Sequence, residues 1–172
     1  MEDNIILVGF MGTGKTVVGK ELAQALDFKY IDTDLMIEAE AKMTIPEIFK
    51  NLGEDAFRKM ETEALKRVSH LKKYVVATGG GIVMKNENID LMKKTGMVIC
   101  LTATPEIIYN RTRENSDRPL LQTPDPMKKI ISLLKFRESQ YQIAADFTID
   151  TSNLAVKTIV ETIISLWAKE EP

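Results

Sequence analysis

The segment Gly9-Phe10-Met11-Gly12-Thr13-Gly14-Lys15-Thr16 lies between an apolar run, Asn4 to Val8, and a helical pattern from Val17 to Leu26. Glycines at both ends let the backbone turn tightly and direct successive N–H groups inward. A polyphosphate can then bind at the positive end of the following helix. In this pattern Lys15 reaches the β- and γ-phosphates, and the Thr16 hydroxyl ligates Mg²⁺. The segment therefore predicts a phosphate-binding P-loop, and a glycine-rich turn without a ligand is the weaker alternative.

The composition is typical of one soluble globular domain, residues 1–172. Apolar residues make up 44% of the chain and charged residues 28%, which excludes disordered and collagen-like classes. A net charge of −2 provides no basic field for a nucleic-acid backbone, and no apolar run approaches the ~20 residues of a membrane span. Cys100 is the only cysteine, and no leader-peptide pattern precedes the first strand. We therefore expect a cytoplasmic protein whose partners include neither nucleic acid nor membrane, and we take a monomer as the default.

Apolar runs alternate with helical patterns along the chain. The runs predicted to be strands are Asn4–Val8, Phe28–Ile31, Tyr74–Ala77, Met97–Leu101 and Phe147–Ile149. Strands that alternate with helices indicate a parallel sheet with helices on both faces. The predicted fold is thus a three-layer α/β/α domain with a central parallel sheet of about five strands. Periodicity stops over residues 112–126, a polar stretch with three prolines, which we predict to be a mobile lid.

Two aspartates follow the second predicted strand, at the sheet edge where parallel α/β proteins bind ligands. If the chain stays extended there, alternation places Asp32 and Asp34 on one face and Thr33 on the other. We assign Asp32 to the water shell of the metal and Asp34 to an acceptor hydroxyl, as its base or orienting group. The alternative is that Asp34 only caps a helix while Asp32 is solvated.

Arginines and a glycine run suggest a pocket for an anionic acceptor. A guanidinium binds a planar carboxylate through two hydrogen bonds, and bare N–H groups of Gly79-Gly80-Gly81 could add more. Arg58 and Arg137 are the candidate cations, although a helical arginine is often only solvated, or paired as Arg58 could be with Glu61. In the predicted lid, Arg118 could close onto the transferring phosphate and exclude water.

These motifs together resemble the shikimate kinase family, small P-loop enzymes of the nucleoside monophosphate kinase structural class. The resemblance runs nearly end to end. The matching segments are residues 9–16, Asp32-Thr33-Asp34, Ile45–Phe49, Gly53–Arg58 with Glu61, Thr78–Gly81, Arg111-Thr112, Arg118–Leu121, and Arg137 with Tyr141. The fold implied is that of P-loop NTPases of the nucleoside monophosphate kinase type, with a lid.

The resemblance implies that ATP phosphorylates the 3-hydroxyl of shikimate with Mg²⁺, a step toward chorismate and the aromatic amino acids. The residues it implies for ATP are Gly12, Thr13, Gly14, Lys15, Thr16, Val17, Arg111 on the adenine, and Arg118 on the phosphates. Those it implies for the acceptor are Asp34, Arg58, Gly79, Gly80, Gly81 and Arg137, centred on a substrate-binding region of about residues 33–61. Thr16 and Asp32 would organise Mg²⁺. The catalytic residues would be Lys15, Asp34 and Arg118.

Two rival functions remain open from the sequence. One is another small-molecule kinase of the same fold, such as a gluconate kinase or a nucleoside monophosphate kinase. The other is a non-catalytic nucleotide-binding module, although the chain has no Asn/Thr-Lys-x-Asp motif for reading a base. The chain also departs from the family pattern at Lys42, where glycine is common, and at Val17, where serine or threonine is frequent. We expect both departures to affect local stability more than chemistry.

Overall fold

The computed structural model describes residues 4–114 and 121–170. Its strands are β1 (Asn4–Val8), β2 (Lys29–Asp32), β3 (Tyr74–Ala77), β4 (Gly96–Thr102) and β5 (Phe147–Asp150). They form one sheet in the order β2-β3-β1-β4-β5, and every neighbouring pair is parallel. The predicted parallel sheet of about five strands is confirmed.

Helices connect these strands and cover both faces of the sheet. They are α1 (Lys15–Leu26), α2 (Thr33–Ala41), α3 (Ile45–Leu52), α4 (Glu54–Val68), α5 (Asn86–Thr95), α6 (Pro105–Thr112), α7 (Pro126–Ala144) and α8 (Val156–Glu170). A 3₁₀ turn, Ile82–Met84, lies between β3 and α5. Within the described ranges, no helix is long and apolar enough to cross a lipid bilayer.

The core forms because successive residues of the central strands point to opposite faces. Ile5 and Leu7 of β1 pack with α1 and α8, whereas Ile6 and Val8 pack with α4, α5 and α7. All four side chains are fully buried. The central strands are apolar on both faces because helices cover both, which is the pattern of a parallel sheet.

The strand order places the candidate site at the carboxyl ends of three neighbouring strands. The P-loop follows β1, the glycine run follows β3, and Asp32 ends β2, so the three segments leave adjacent strands. Ala77 of β3 lies level with both Leu7 of β1 and Asp32 of β2. The carboxyl ends of these strands therefore meet at one cleft, as in other open α/β sheets.

The structure differs from the prediction at both ends of the predicted lid, residues 112–126. Thr112 belongs to α6 and Pro126 to α7, so helices extend one residue into each end of the predicted segment. Asp125 caps α7 with its carboxylate on the Lys128 N–H, at 3.0 Å. Residues 115–120, which include Arg118, lie outside the described residues. The mobile lid and the role of Arg118 remain predictions.

Lys42 follows α2 as its C-cap and lies in the left-handed region, with φ 51° and ψ 35°. A side chain there is strained where glycine is not. We expect Lys42→Gly to raise the free energy of unfolding by about 0.5–1 kcal/mol and the Tm by roughly 1–4 °C. Chemical and thermal unfolding measure this. The matched control is Lys59→Gly in the exposed interior of α4, which should instead destabilise the protein. A Lys42→Gly variant no more stable than the wild type would contradict the assignment of strain.

Candidate active site

The P-loop curls around the amino end of α1. Gly9, Gly12 and Gly14 have positive φ values of 139°, 78° and 100°, which glycine adopts without steric cost. A Cβ on Gly9 would overlap the Leu101 carbonyl of the neighbouring strand. The Lys15 ammonium donates to the carbonyls of Gly9 and Phe10, at 2.7 and 2.9 Å. These bonds hold a positive charge inside the loop, where a polyphosphate would need it.

The two aspartates are arranged differently from the prediction. The chain does not stay extended: Asp32 ends β2 and caps α2, and Asp34 already lies in the first turn of that helix. The Asp32 carboxylate accepts the N–H groups of Asp34 and Leu35, at 2.9 and 3.3 Å. The argument from strand alternation was therefore wrong, and so was the alternative that Asp34 is the cap. Both carboxylates nevertheless line the same cleft.

Tyr30 supports Asp32 from two residues earlier on β2. Its hydroxyl donates to the second Asp32 carboxylate oxygen at 3.3 Å. Burial, with the negative charge of Asp32, raises the pKa of Tyr30 to about 12, so the hydroxyl stays a donor at neutral pH. One carboxylate oxygen of Asp32 thus accepts the N–H groups at the start of α2, and the other accepts from the un-ionised Tyr30 hydroxyl.

The glycine run lets charged side chains approach the backbone closely. A Cβ on Gly79 would lie 2.7 Å from carboxylate oxygens of both Asp34 and Glu61, and one on Gly81 would overlap the Arg58 guanidinium. A Cβ on Gly80 would lie 3.5 Å from Arg137 Nη1. The predicted acceptor residues are therefore brought together around one short loop.

Arg58 is held by carboxylates on its own helix. Its Nη1 lies 2.7 Å from Glu61 Oε2, and its Nη2 lies 2.9 Å from Glu54 Oε1. Burial, together with the nearby charge of Asp34, raises the pKa of Glu61 to about 7 against the opposing effect of Arg58. The sequence suggested Glu61 only as a surface partner of Arg58. In the structure its side chain is completely buried beside the acceptor residues.

Arg137, on α7, also lies beside the glycine run. The residue is 3% exposed, and its guanidinium lies 5.6 Å from the centre of the Phe10 ring. Neither its Nε nor its Nη1 has a hydrogen-bond acceptor within the described ranges. A buried guanidinium with unsatisfied N–H groups is costly unless an anion binds it. Arg137 is therefore the strongest indication of an anionic ligand.

Arg111 lies at the opposite end of the cleft. It donates to Gly12 O at 3.1 Å and to the hydroxyl and carbonyl oxygens of Thr151, at 3.2 and 3.1 Å. The cleft has a volume of about 260 Å³. Its lining includes Gly12, Gly14, Lys15, Thr16, Val17, Asp32, Asp34, Gly79, Gly80 and Arg111. Most of the predicted nucleotide residues therefore share one open space with Asp34, Gly79 and Gly80. The other predicted residues that the structure describes do not line this cleft; they are Thr13, Arg58, Gly81 and Arg137.

The donor set of the cleft suits Mg²⁺ bound with phosphates. Thr16 and Asp32 offer a hydroxyl and a carboxylate, which are hard oxygen ligands. Within residues 4–114 and 121–170 there is no cluster of three or more His, Cys, Asp or Glu that could hold a metal alone. Mg²⁺ usually binds through one or two protein oxygens, substrate phosphates and water, so the two groups fit it.

The fold and the cleft define a P-loop kinase of small molecules, with a phosphate loop in the cleft and Arg58 and Arg137 beside the glycine run that adjoins it. The family model described as shikimate kinase matches residues 11–168. A shikimate kinase of Thermoanaerobacter pseudethanolicus is 47% identical over 166 residues, 96% of each chain. A shikimate kinase of Neisseria meningitidis is 43% identical over 160 residues, 93% of each chain. The chain belongs to the shikimate kinase family.

Solved structures agree with this assignment. A shikimate kinase from Acinetobacter baumannii in complex with shikimate superposes with a TM-score of 0.95 at 38% identity, covering 98% of this chain and 94% of that one. A gluconokinase from Sinorhizobium meliloti has a TM-score of 0.60 at 14% identity, covering 98% and 93%, which shows a shared fold alone. The resemblance found in the sequence is confirmed, and the chain is an ATP-using enzyme.

Proposed function

We propose that this protein transfers the γ-phosphate of ATP to the 3-hydroxyl of shikimate, giving shikimate 3-phosphate and ADP on the way to chorismate and the aromatic amino acids. The main observation behind this proposal is the buried Arg137, which lies with Arg58 and Asp34 beside the glycine run. A small acceptor with one carboxylate and a nearby hydroxyl satisfies that arrangement. The family membership supports it, and a relative has been solved with shikimate.

Arg58 and Arg137 bind the carboxylate of the acceptor in this proposal. Arg137 contributes N–H groups that lack protein acceptors, and Arg58 is already oriented by Glu54 and Glu61. Gly79, Gly80 and Gly81 allow the ring of the acceptor to approach the backbone. The proposed substrate-binding region, about residues 33–61, contributes Asp34 from α2 and Arg58 and Glu61 from α4.

Asp34 orients the acceptor hydroxyl and takes its proton as the oxygen attacks. The new bond forms between that oxygen and the γ-phosphorus, while the bond from the γ-phosphorus to the bridging oxygen of ADP breaks. Lys15 stabilises the charge on the β- and γ-phosphates, and Gly12 to Val17 hold the nucleotide. We assign Arg118 the same electrostatic role from the lid.

Thr16 and Asp32 would hold Mg²⁺, Asp32 through a water. When bound, the ion neutralises charge across the β- and γ-phosphates. Capping by Asp32 fixes its carboxylate before any ligand arrives. Arg111 would pack on the adenine.

We also propose a cytoplasmic monomer whose partners are ATP and shikimate, not nucleic acid or membrane. The net charge of −2 supports the part of this assignment that concerns nucleic acid, and the single, buried cysteine supports the cytoplasm.

The test is ADP release from Mg·ATP, with shikimate, quinate, gluconate and nucleoside monophosphates offered separately. We expect turnover with shikimate and little with the others. Turnover with gluconate or a nucleoside monophosphate instead would replace the proposed substrate. Binding of ADP without turnover of any acceptor would favour the nucleotide-binding module.

Acceptor binding should depend on pH through Glu61. The pKa of Glu61 is about 7, and an acceptor carboxylate, ionised throughout this range, adds a negative charge beside it. Binding therefore raises that pKa further and takes up a proton, so affinity falls as pH rises through about 7. We expect the Kd for shikimate to increase severalfold between about pH 6 and pH 8. Calorimetry in buffers of different ionisation enthalpy measures both the Kd and the proton uptake.

Glu61→Gln should flatten this pH profile because its amide does not titrate. Glu63→Gln is the matched control, since Glu63 is exposed on the same helix. It should keep the profile of the wild type. An unchanged profile in Glu61→Gln would assign the pH dependence to another group.

A further inference from the structure

Thr151 connects four parts of the nucleotide side of the cleft. It directly follows β5 and is 2% exposed. Its hydroxyl lies 2.8 Å from Thr13 O in the P-loop and 3.0 Å from Thr102 O at the end of β4. It also accepts from Arg111 of α6, at 3.2 Å. No local sequence pattern indicated these contacts, because the partners of Thr151 are as far as 138 positions away.

The hydroxyl has one proton to donate. Thr102 O already accepts the Thr151 backbone N–H at 2.8 Å, and the shorter side-chain distance is the one to Thr13 O. The hydroxyl proton is therefore assigned to Thr13 O, while Arg111 donates to the same oxygen from another side. A threonine hydroxyl can donate once and accept at its lone pairs in this way.

The bond to Thr13 O orients an adjacent donor. In a planar trans peptide the carbonyl of one residue and the N–H of the next point in opposite directions. Because the Thr13 carbonyl points to Thr151, the Gly14 N–H points away from it. Gly14 lines the cleft at the amino end of α1, where backbone N–H groups bind phosphates, and we infer that its N–H faces that space.

Thr151 also fixes Arg111. The Arg111 guanidinium is held at its edge by Gly12 O and by two oxygens of Thr151. With its edge bonded, the flat face of a guanidinium remains available for stacking on an aromatic base. One residue thus holds both a phosphate-loop peptide and the arginine at the adenine end.

We propose that Thr151 is a positioning residue of the nucleotide site. It holds the Thr13–Gly14 peptide toward the phosphates and Arg111 against the base, and so sets the affinity for adenine nucleotide without affecting the acceptor. This inference rests on the proposed function only in taking the P-loop cleft as the nucleotide site.

The test compares Thr151→Val, which removes the hydroxyl, with Thr151→Ser, which keeps it. We expect Thr151→Val to weaken ADP binding about tenfold, and Thr151→Ser to restore it to within about threefold of the wild type. The Kd for shikimate should change less than about twofold in both. Calorimetric titration with ADP and with shikimate measures these values without turnover. The test therefore remains valid even if the protein does not phosphorylate shikimate.

Thr95→Val is the matched structural control. Thr95 is also buried, and its hydroxyl donates to Leu91 O at 2.7 Å, away from the cleft. We expect it to lower the Tm without changing ADP affinity. Unchanged ADP affinity in Thr151→Val would overturn the proposal. Equal losses of ADP and shikimate affinity would also overturn it, because they would indicate general loosening of the fold.

A double-mutant cycle tests the connection to Arg111. Arg111→Met removes the guanidinium but keeps a long side chain. If Thr151 acts partly through Arg111, adding Thr151→Val to Arg111→Met should weaken ADP binding less than it does in the wild type. Full additivity would overturn the connection to Arg111.

Discussion

Replacing Asp34 with Asn should lower kcat about 10²–10⁴-fold while leaving the Kd for ADP within about twofold of the wild type. The amide keeps the shape of the carboxylate beside Gly79 but cannot take the proton of the acceptor hydroxyl. The bond from the Asp34 N–H to Asp32 remains, so the start of α2 should stay in place. Steady-state kinetics and calorimetry with ADP give the two values.

Two further variants make the result specific. Asp90→Asn changes an exposed aspartate on α5 and should behave as the wild type. Asp32→Asn should weaken activity in a way that a higher Mg²⁺ concentration partly restores, whereas Asp34→Asn should not respond to Mg²⁺. An unchanged kcat in Asp34→Asn would remove Asp34 from the reaction. A loss of ADP affinity would place it in the nucleotide site instead.

Replacing Arg137 with Ala should weaken acceptor binding by about 2–5 kcal/mol, roughly 30-fold or more. Arg137 is buried, and its unsatisfied N–H groups are the ones we assign to the acceptor carboxylate. The loss should be in shikimate affinity, with the KM for ATP nearly unchanged. Calorimetric titration with shikimate measures it directly.

Further variants of Arg137 distinguish the loss of its charge from the loss of its packing against Phe10. Arg137→Met fills most of the volume next to Phe10 but has no charge, so it should lose nearly as much affinity as Arg137→Ala. Arg137→Lys keeps the charge without the paired donors and should be intermediate. Lys135→Ala, an exposed cation on the same helix, is the control. Acceptor affinity that survives in Arg137→Met would assign Arg137 to packing alone.

Much of the fold was predictable because its signals are local. The P-loop follows β1 immediately, and the capping box of Thr44 and Glu47 begins α3 as their spacing predicts. The buried strands were found because their apolar runs are continuous. Their order in the sheet was not predicted, since no local pattern specifies which parallel strands become neighbours.

The candidate site was less predictable because its contacts are distant in sequence or depend on burial. The chain was expected to stay extended through Asp34, but the Asp32 side chain caps α2, which already begins at Thr33. The spacing of Arg58 and Glu61 is typical of an exposed pair on a helix, so nothing in it revealed that Glu61 is buried. The role of Arg118 remains a prediction from the resemblance.

The strand order also affects how the protein should behave when concentrated. In the part of the chain that the structure describes, β2 and β5 are the two edges of the sheet, and each has four residues. Lys29 and Asp32 are the end residues of β2, and exposed Asp150 ends β5. Short edges with charged ends are poor templates for pairing with a second chain. The long apolar strands lie inside the sheet, where no other chain can reach them, so the folded protein should resist aggregation by strand addition.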